Sequence, residues 1–131
     1  MICIGIIGAA GLSGLELLHW LGRHSEVEVT LVTSTKYQGR QVCDAFPHLP
    51  NGKLVFQPND TDVSGCDAVF LAVPNKASLE WTPKLLDQGV RVIDLSGVYR
   101  LRDIAAFERH YGLAHTSPQV LQEAVFGLPE Y

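Results

Sequence analysis

The first fourteen residues constrain this chain more than any other stretch. Ile2–Ile7 is an almost unbroken apolar run that ends at Gly8, and Gly8, Gly11 and Gly14 follow at intervals of three. An apolar run without polar alternation suits a strand buried on both faces, which is the situation of a parallel sheet. After the glycines, Leu15, Leu17, Leu18 and Leu21 recur at helix-like spacing. Ser13 with Glu16 three residues later predicts an N-cap and a capping box at the start of that helix. Strand, glycine turn, helix is the context in which backbone N–H groups approach a pyrophosphate closely and a helix N-terminus faces its charge. Gly8, Gly11, Leu12, Ser13 and Gly14 are therefore candidate cofactor contacts, against the plainer reading of a glycine turn with no ligand. The spacing is GxxGxxG rather than GxGxxG, which predicts a loop of different shape from the common one.

The rest of the chain repeats the alternation. Val27–Val32 reads as a second strand ending near Thr33–Ser34, Leu54–Gln57 as a short one, Ala68–Val73 as a strand stopped by Pro74, and Val90–Leu95 as another. Helices are predicted at Gln41–Phe46, at Lys76–Gln88 with Gly89 as the stop, and at Ile104–His110 and Pro118–Ala124. Strands alternating with helices imply βαβ units. The predicted fold is α/β: a Rossmann-type, doubly wound, mostly parallel sheet with helices on both faces. At 131 residues, with no linker or repeat, residues 1–131 are expected to form one dinucleotide-binding domain.

Composition narrows the function. A net charge of −4 lacks the basic footprint of a nucleic-acid partner. The apolar runs are strand-sized, so no membrane span is expected. The N-terminus lacks a basic leader, and the three cysteines, Cys3, Cys43 and Cys66, are too scattered for a disulfide framework or a zinc site. A cytoplasmic protein without a metal is the expectation.

In NAD-binding folds of this kind an acidic residue about 20 residues beyond the loop holds the ribose hydroxyls. Here that place is Thr33-Ser34-Thr35-Lys36, with hydroxyls and a cation and no carboxylate. A carboxylate repels a 2′-phosphate, whereas hydroxyl donors and a cation hold it, so Thr33, Ser34 and Lys36 predict NADP. Arg40 is an alternative cation, and a polar turn without a ligand is the alternative reading. At the ends of two later strands, Pro74 and Ser78, then Ser96, face the edge where open α/β sheets bind ligands. Pro74 as a strand stop and Ser78 as a helix cap are the competing readings. Arg100 offers a fork for a carboxylate or acyl phosphate, or alternatively an ion pair with Asp103 or Glu108. The five histidines lack metal-ligand spacing and read as structural, and Trp20 and Trp81 read as packing residues. Cys3, Cys43 and Cys66 read as small hydrophobes rather than nucleophiles.

Six stretches together resemble the N-acetyl-gamma-glutamyl-phosphate reductase family, within the semialdehyde dehydrogenase superfamily. They are GIIGAAGLSGLELL at Gly5–Leu18, HSEVEVTLVTS at His24–Ser34, GRQVCDAFPHL at Gly39–Leu49, DAVFLAVPNKAS at Asp67–Ser78, GVRVIDLSGVYRL at Gly89–Leu101 and AVFGLPE at Ala124–Glu130. The resemblance implies NADPH-dependent reduction of N-acetyl-gamma-glutamyl phosphate to N-acetyl-glutamate 5-semialdehyde in arginine biosynthesis, with phosphate released. It implies a loop at Pro74 lying against the cofactor and Arg100 near the small-molecule substrate. It also implies a cysteine nucleophile in a PGC motif beyond GLPE, past Tyr131, with the catalytic histidine and substrate domain further on. No catalytic residue is then expected in these 131 residues, which alone should be inactive. A homo-oligomer is implied for the full-length enzyme. A related acyl-phosphate reductase, or an NADP-binding module without catalysis, is the alternative.

Overall fold

A computed structural model describes residues 1–50, 52–128 and 130. Pro129 of the GLPE element and Tyr131 lie outside the described residues. Five strands, β1 (Ile2–Ile7), β2 (Val27–Thr33), β3 (Phe56–Gln57), β4 (Ala68–Leu71) and β5 (Arg91–Asp94), form one sheet in the order β3-β2-β1-β4-β5. Every pairing in it is parallel. The predicted fold is thus the observed one. The first strand lies at the centre, with its carboxyl half buried on both faces: Ile4, Ile6 and Ile7 are all at most 5% exposed.

Successive β1 side chains feed two separate cores, as the period of two requires. Ile4 and Ile6 pack with Leu18 of α1 (Leu12–Leu21), Val29 and Val32 of β2, and Val42 of α2 (Val42–Ala45). Ile7 packs on the other side with Val69 and Leu71 of β4 and Leu85 of α3 (Asn75–Asp87). A third, smaller core joins Leu79 of α3 to Val98 and to Phe107 of α4 (Ile104–Tyr111), ahead of the short α5 (Pro118–Glu123). Each fully buried Leu, Ile or Phe contributes about 1.5–3 kcal/mol relative to exposure, so the first two cores are what lock the sheet between its helices. The chain leaves β1 toward β2 on one side and later adds β4 and β5 on the other. Strand order therefore reverses between β1 and β4, and the carboxyl ends of those strands form the crevice where open α/β sheets bind ligands.

Two local expectations are corrected. Ser13 is not the N-cap of α1: Gly11, in extended backbone, takes that position without a side-chain hydrogen bond, and Ser13 lies inside the first turn. The cause is Gly14, where an added Cβ would stand 2.5 Å from the Gly8 carbonyl oxygen and 2.6 Å from Ala9. Gly14 must press its helix against the end of β1, so the helix starts before Ser13. Glu16 instead accepts from the Trp20 indole N–H at 3.2 Å, and no capping box forms. Ser78 does not cap α3 either: Pro74 is the N-cap and Ser78 lies buried in the helix.

Candidate functional site

The glycine loop is built by exclusion of side chains. Gly8 has φ +84, a conformation that L side chains rarely adopt, and a Cβ there would collide with the Ala72 carbonyl oxygen after β4. The loop is then tied to β2 through one residue. Gly8 N–H donates to the Thr33 hydroxyl at 3.1 Å, and Ala9 N–H donates to the Thr33 carbonyl at 2.9 Å. The Thr33 hydroxyl donates onward to Asn59 Oδ1 at 2.6 Å. With Gly8 and Ala9 held in this way, the N–H groups of Leu12, Ser13 and Gly14 in the first turn of α1 have no protein partner among the described residues. Unpaired helix-start donors beside a turn that admits no side chain at Gly8 or Gly14 fit a pyrophosphate.

Thr33, expected at the cofactor, is fully buried, and its hydroxyl both accepts and donates within the fold, so its side chain holds the loop. Ser34 is nearly buried, and its oxygen accepts the Tyr37 N–H at 3.1 Å, which leaves its proton free to donate. Lys36 and Arg40 are both exposed and both flank the Tyr37 ring, at 5.3 and 5.6 Å from its centre. The turn after β2 thus carries two cations and no carboxylate.

The ends of β4 and β5 are cross-linked by a second polar cluster. Asp94, the last residue of β5, accepts from the Ser78 hydroxyl, from Ser96 N–H at 2.8 Å and from the Ser96 hydroxyl at 2.9 Å. The Ser96 oxygen in turn accepts Val98 N–H at 3.3 Å, and Asn75 Oδ1 accepts Gly97 N–H at 3.1 Å. The Ser78 and Ser96 hydroxyls, expected to meet a cofactor, are thereby engaged in fixing the two loops to each other. Pro74 is exposed at this edge, at the start of α3.

Past Ser96 a groove of about 950 Å³ runs across β5 to residues 120–128. It brings together Asp94, Ser96, Tyr99 and Arg100 with the apolar Ile93, Leu95 and Phe126, and none of the glycine-loop residues. Arg100 lies over the Phe126 ring at 5.6 Å. The alternative ion pairs are not formed: Asp103 caps α4 by accepting from Ala105 and Ala106 N–H, and Glu108 accepts His115 N–H. The Tyr99 hydroxyl is buried near Thr82 and Ser117 with no hydrogen bond formed among the described residues, and burial pushes its titration above the ordinary tyrosine range. His115 is buried and satisfied, with Nε2 donating to the Val98 carbonyl and Nδ1 accepting Ser117 N–H. None of the three cysteines lines this groove. Burial pushes the Cys66 thiol up, which suits a hydrophobe rather than a nucleophile.

Asn59, Asn75 and Gly97 were missed from sequence. Gly97 admits the Tyr111 side chain, which a Cβ would strike. Asn75, directly after a proline at a strand end, carried a usable signal; Asn59, in a polar loop, carried none.

A parallel sheet of this order, with a glycine turn and an open helix start at its reversal point, defines a Rossmann-type dinucleotide-binding domain. Residues 3–131 match the family described as semialdehyde dehydrogenase, NAD binding domain, and the chain belongs to that family. It is 46% identical to N-acetyl-gamma-glutamyl-phosphate reductase of Laribacter hongkongensis over 99% of its own length and 39% of that protein's. The enzyme of the same name from Neisseria meningitidis serogroup C is 46% identical over 98% of this chain and 38% of its own. The chain thus spans about two fifths of the length of these curated relatives. Among solved structures, aspartate semialdehyde dehydrogenase from Candida albicans with NADP superposes with a TM-score of 0.67 at 24% identity, over 76% of this chain and 31% of that one. Aspartate semialdehyde dehydrogenase II from Vibrio cholerae gives 0.63 at 22%, over 76% and 29%. These two likenesses speak to the fold.

Proposed function

We propose that this chain is the NADP-binding part of an enzyme that reduces N-acetyl-gamma-glutamyl phosphate to N-acetyl-glutamate 5-semialdehyde in arginine biosynthesis. The observation that carries the reading is the 46% identity, across nearly the whole chain, to relatives bearing that enzyme's name. The loop supports it, because a site cleared of side chains at Gly8 and Gly14, with N–H groups at Leu12–Gly14 that have no partner among the described residues, fits a pyrophosphate. The β2 turn supports the phosphorylated dinucleotide: Ser34 retains a donor, and Lys36 and Arg40 supply charge. When bound, the dinucleotide supplies the hydride. This chain's residues hold its pyrophosphate at α1 and its adenosine end at the turn after β2.

Residues 1–131 serve as the dinucleotide-binding domain, and the acyl-phosphate chemistry belongs to a nucleophile and substrate domain outside them. Arg100, free of the Asp103 and Glu108 carboxylates, is the residue offered to the substrate. No helix among the described residues is long and apolar enough to cross a membrane. From the likeness to these reductases we assign the enzyme to the cytoplasm and to a homo-oligomer.

Fluorescence titration of the chain with NADPH and NADH tests the cofactor assignment. NADPH is expected to bind at least tenfold more tightly (about 1.4 kcal/mol), and the combined change Ser34→Ala, Lys36→Ala is expected to remove most of that margin while leaving NADH nearly unchanged. Equal affinity of the unaltered chain for both would overturn it. The substrate assignment is tested by phosphate- and NADP-dependent oxidation of N-acetyl-glutamate semialdehyde, the reverse reaction, in the enzyme that contains this chain. Turnover of aspartate semialdehyde alone would refute it.

A further inference from the structure

We propose that Asn59, in the loop after β3, is a specificity-determining residue: it fixes the hydroxyl that holds the glycine loop, and it does so without a charge. The inference rests on the cofactor reading above and adds a residue that contacts neither the glycine loop nor the Lys36 turn directly.

Gly8 N–H can only donate, so the Thr33 oxygen accepts there, and the single Thr33 hydroxyl proton must go elsewhere. It goes to Asn59 at 2.6 Å, which requires Asn59 to present Oδ1 to Thr33. The amide orientation is therefore set by the glycine loop, and its Nδ2 is left without a protein partner among the described residues. Gly8, Thr33 and Asn59 form one directed chain of hydrogen bonds from the end of β1, through the end of β2, to the loop after β3.

An acceptor for Thr33 is therefore required at position 59, and two short side chains offer one in the same place: the amide of Asn and the carboxylate of Asp. They differ in what they add to the carboxyl end of β2. Asp would place a negative charge at the edge where dinucleotide folds selective for NAD keep their ribose-binding acid. Asn accepts the same proton, adds no charge, and contributes two N–H donors, which suit a phosphate. The neutrality of Asn59 then complements the cations at Lys36 and Arg40: those residues attract a 2′-phosphate, and Asn59 adds no repulsion to that of the neighbouring exposed Asp60. The link is specific to this arrangement because Thr33 is fully buried, so a lost acceptor leaves its hydroxyl proton without a ready replacement.

The test compares Asn59→Asp with Asn59→Leu by titrating each folded chain, verified by thermal melting, with NADPH and NADH. Asn59→Asp keeps the acceptor and is expected to retain NADH affinity while weakening NADPH about tenfold or more, the scale of a like charge introduced beside a bound phosphate. Asn59→Leu removes the acceptor and is expected to weaken both dinucleotides in parallel, about three- to tenfold, because the Gly8 turn is loosened beneath the shared pyrophosphate. A merely structural role would lower the melting temperature of both variants and leave the NADPH-to-NADH ratio of Asn59→Asp unchanged; that result overturns the inference. A preference for NADPH in the unaltered chain that survives Asn59→Asp also overturns it, while leaving the cofactor reading intact. Absence of any preference in the unaltered chain refutes the cofactor reading instead.

Discussion

The middle of the sheet and its β5 edge are finished differently. Around β1 and β2, apolar side chains close over themselves: Ile6, Leu18 and Val32 are fully buried, and even the polar Thr33 is sealed in. At β5 the same kinds of side chain stay open, with Ile93 and Leu95 each 42% exposed and Phe126 60% exposed. The contrast is not one of hydrophobicity, since both strands are rich in branched aliphatics. It is one of layering. The strand at the centre has a neighbour on each side and a helix layer on each face, whereas β5 is an edge strand with α3 over one face only. The closed middle carries the loop that must keep a fixed shape. The open end is the one carrying Arg100 and a groove with apolar walls.

The largest effect is expected where the closed middle has no tolerance. Gly8→Ala places a Cβ against the Ala72 carbonyl in a backbone conformation costly to any side chain, and should destabilise by about 3 kcal/mol or more or prevent folding. Circular dichroism melting checks the first outcome, and loss of dinucleotide binding in any folded fraction checks the second. A variant with unaltered melting and binding would break the account of the loop. Next in size is a matched pair: Ile6→Ala should cost about 2–5 kcal/mol, whereas Ile93→Ala should cost under about 1. Urea midpoints measure both, and equal losses would mean that β5 is covered in solution, erasing the contrast between the two regions. The smallest effect belongs to Tyr99→Phe at the open end. Its hydroxyl is buried and has no hydrogen-bond partner among the described residues, so its removal should stabilise by about 1 kcal/mol or less at neutral pH. Because burial holds Tyr99 protonated in the fold while the unfolded chain ionises near pH 10, the unaltered protein should lose stability as pH rises past that value. Tyr99→Phe should lose less, and stability measured from pH 8 to 11 compares the two. Parallel pH curves would show that the hydroxyl is solvated.

Legibility followed how local the cause was. The strand Ile2–Ile7 was readable to the residue, because burial on both faces leaves no polar position to blur its ends. The helix Asn75–Asp87 was readable within a residue, since Pro74 and Gly89 punctuate it. The start of α1 was misread at Ser13, because the deciding contact, Gly14 against Gly8 and Ala9, brings together two elements that local propensity treats apart. The hydroxyls of Thr33, Ser78 and Ser96 were found as chemistry at the right edge of the sheet, yet each is turned to a partner within the fold. A serine or threonine beside a ligand edge carries no mark of which way its proton goes. That depends on Asn59 for Thr33, and on Asp94 for both serines.

By itself, then, the sequence determined the parallel α/β order, the glycine loop, the absence of an acidic residue after β2 and the family motifs. All of these follow from burial periodicity, backbone freedom at glycine and the charge of single residues. Only the tertiary structure decided which polar groups face the ligand edge and which brace it, and that the middle of the sheet is sealed while its β5 edge is left open. Hydrogen bonds of this kind join residues far apart in the chain, and their direction is set by proton counts that exist only once the partners have met.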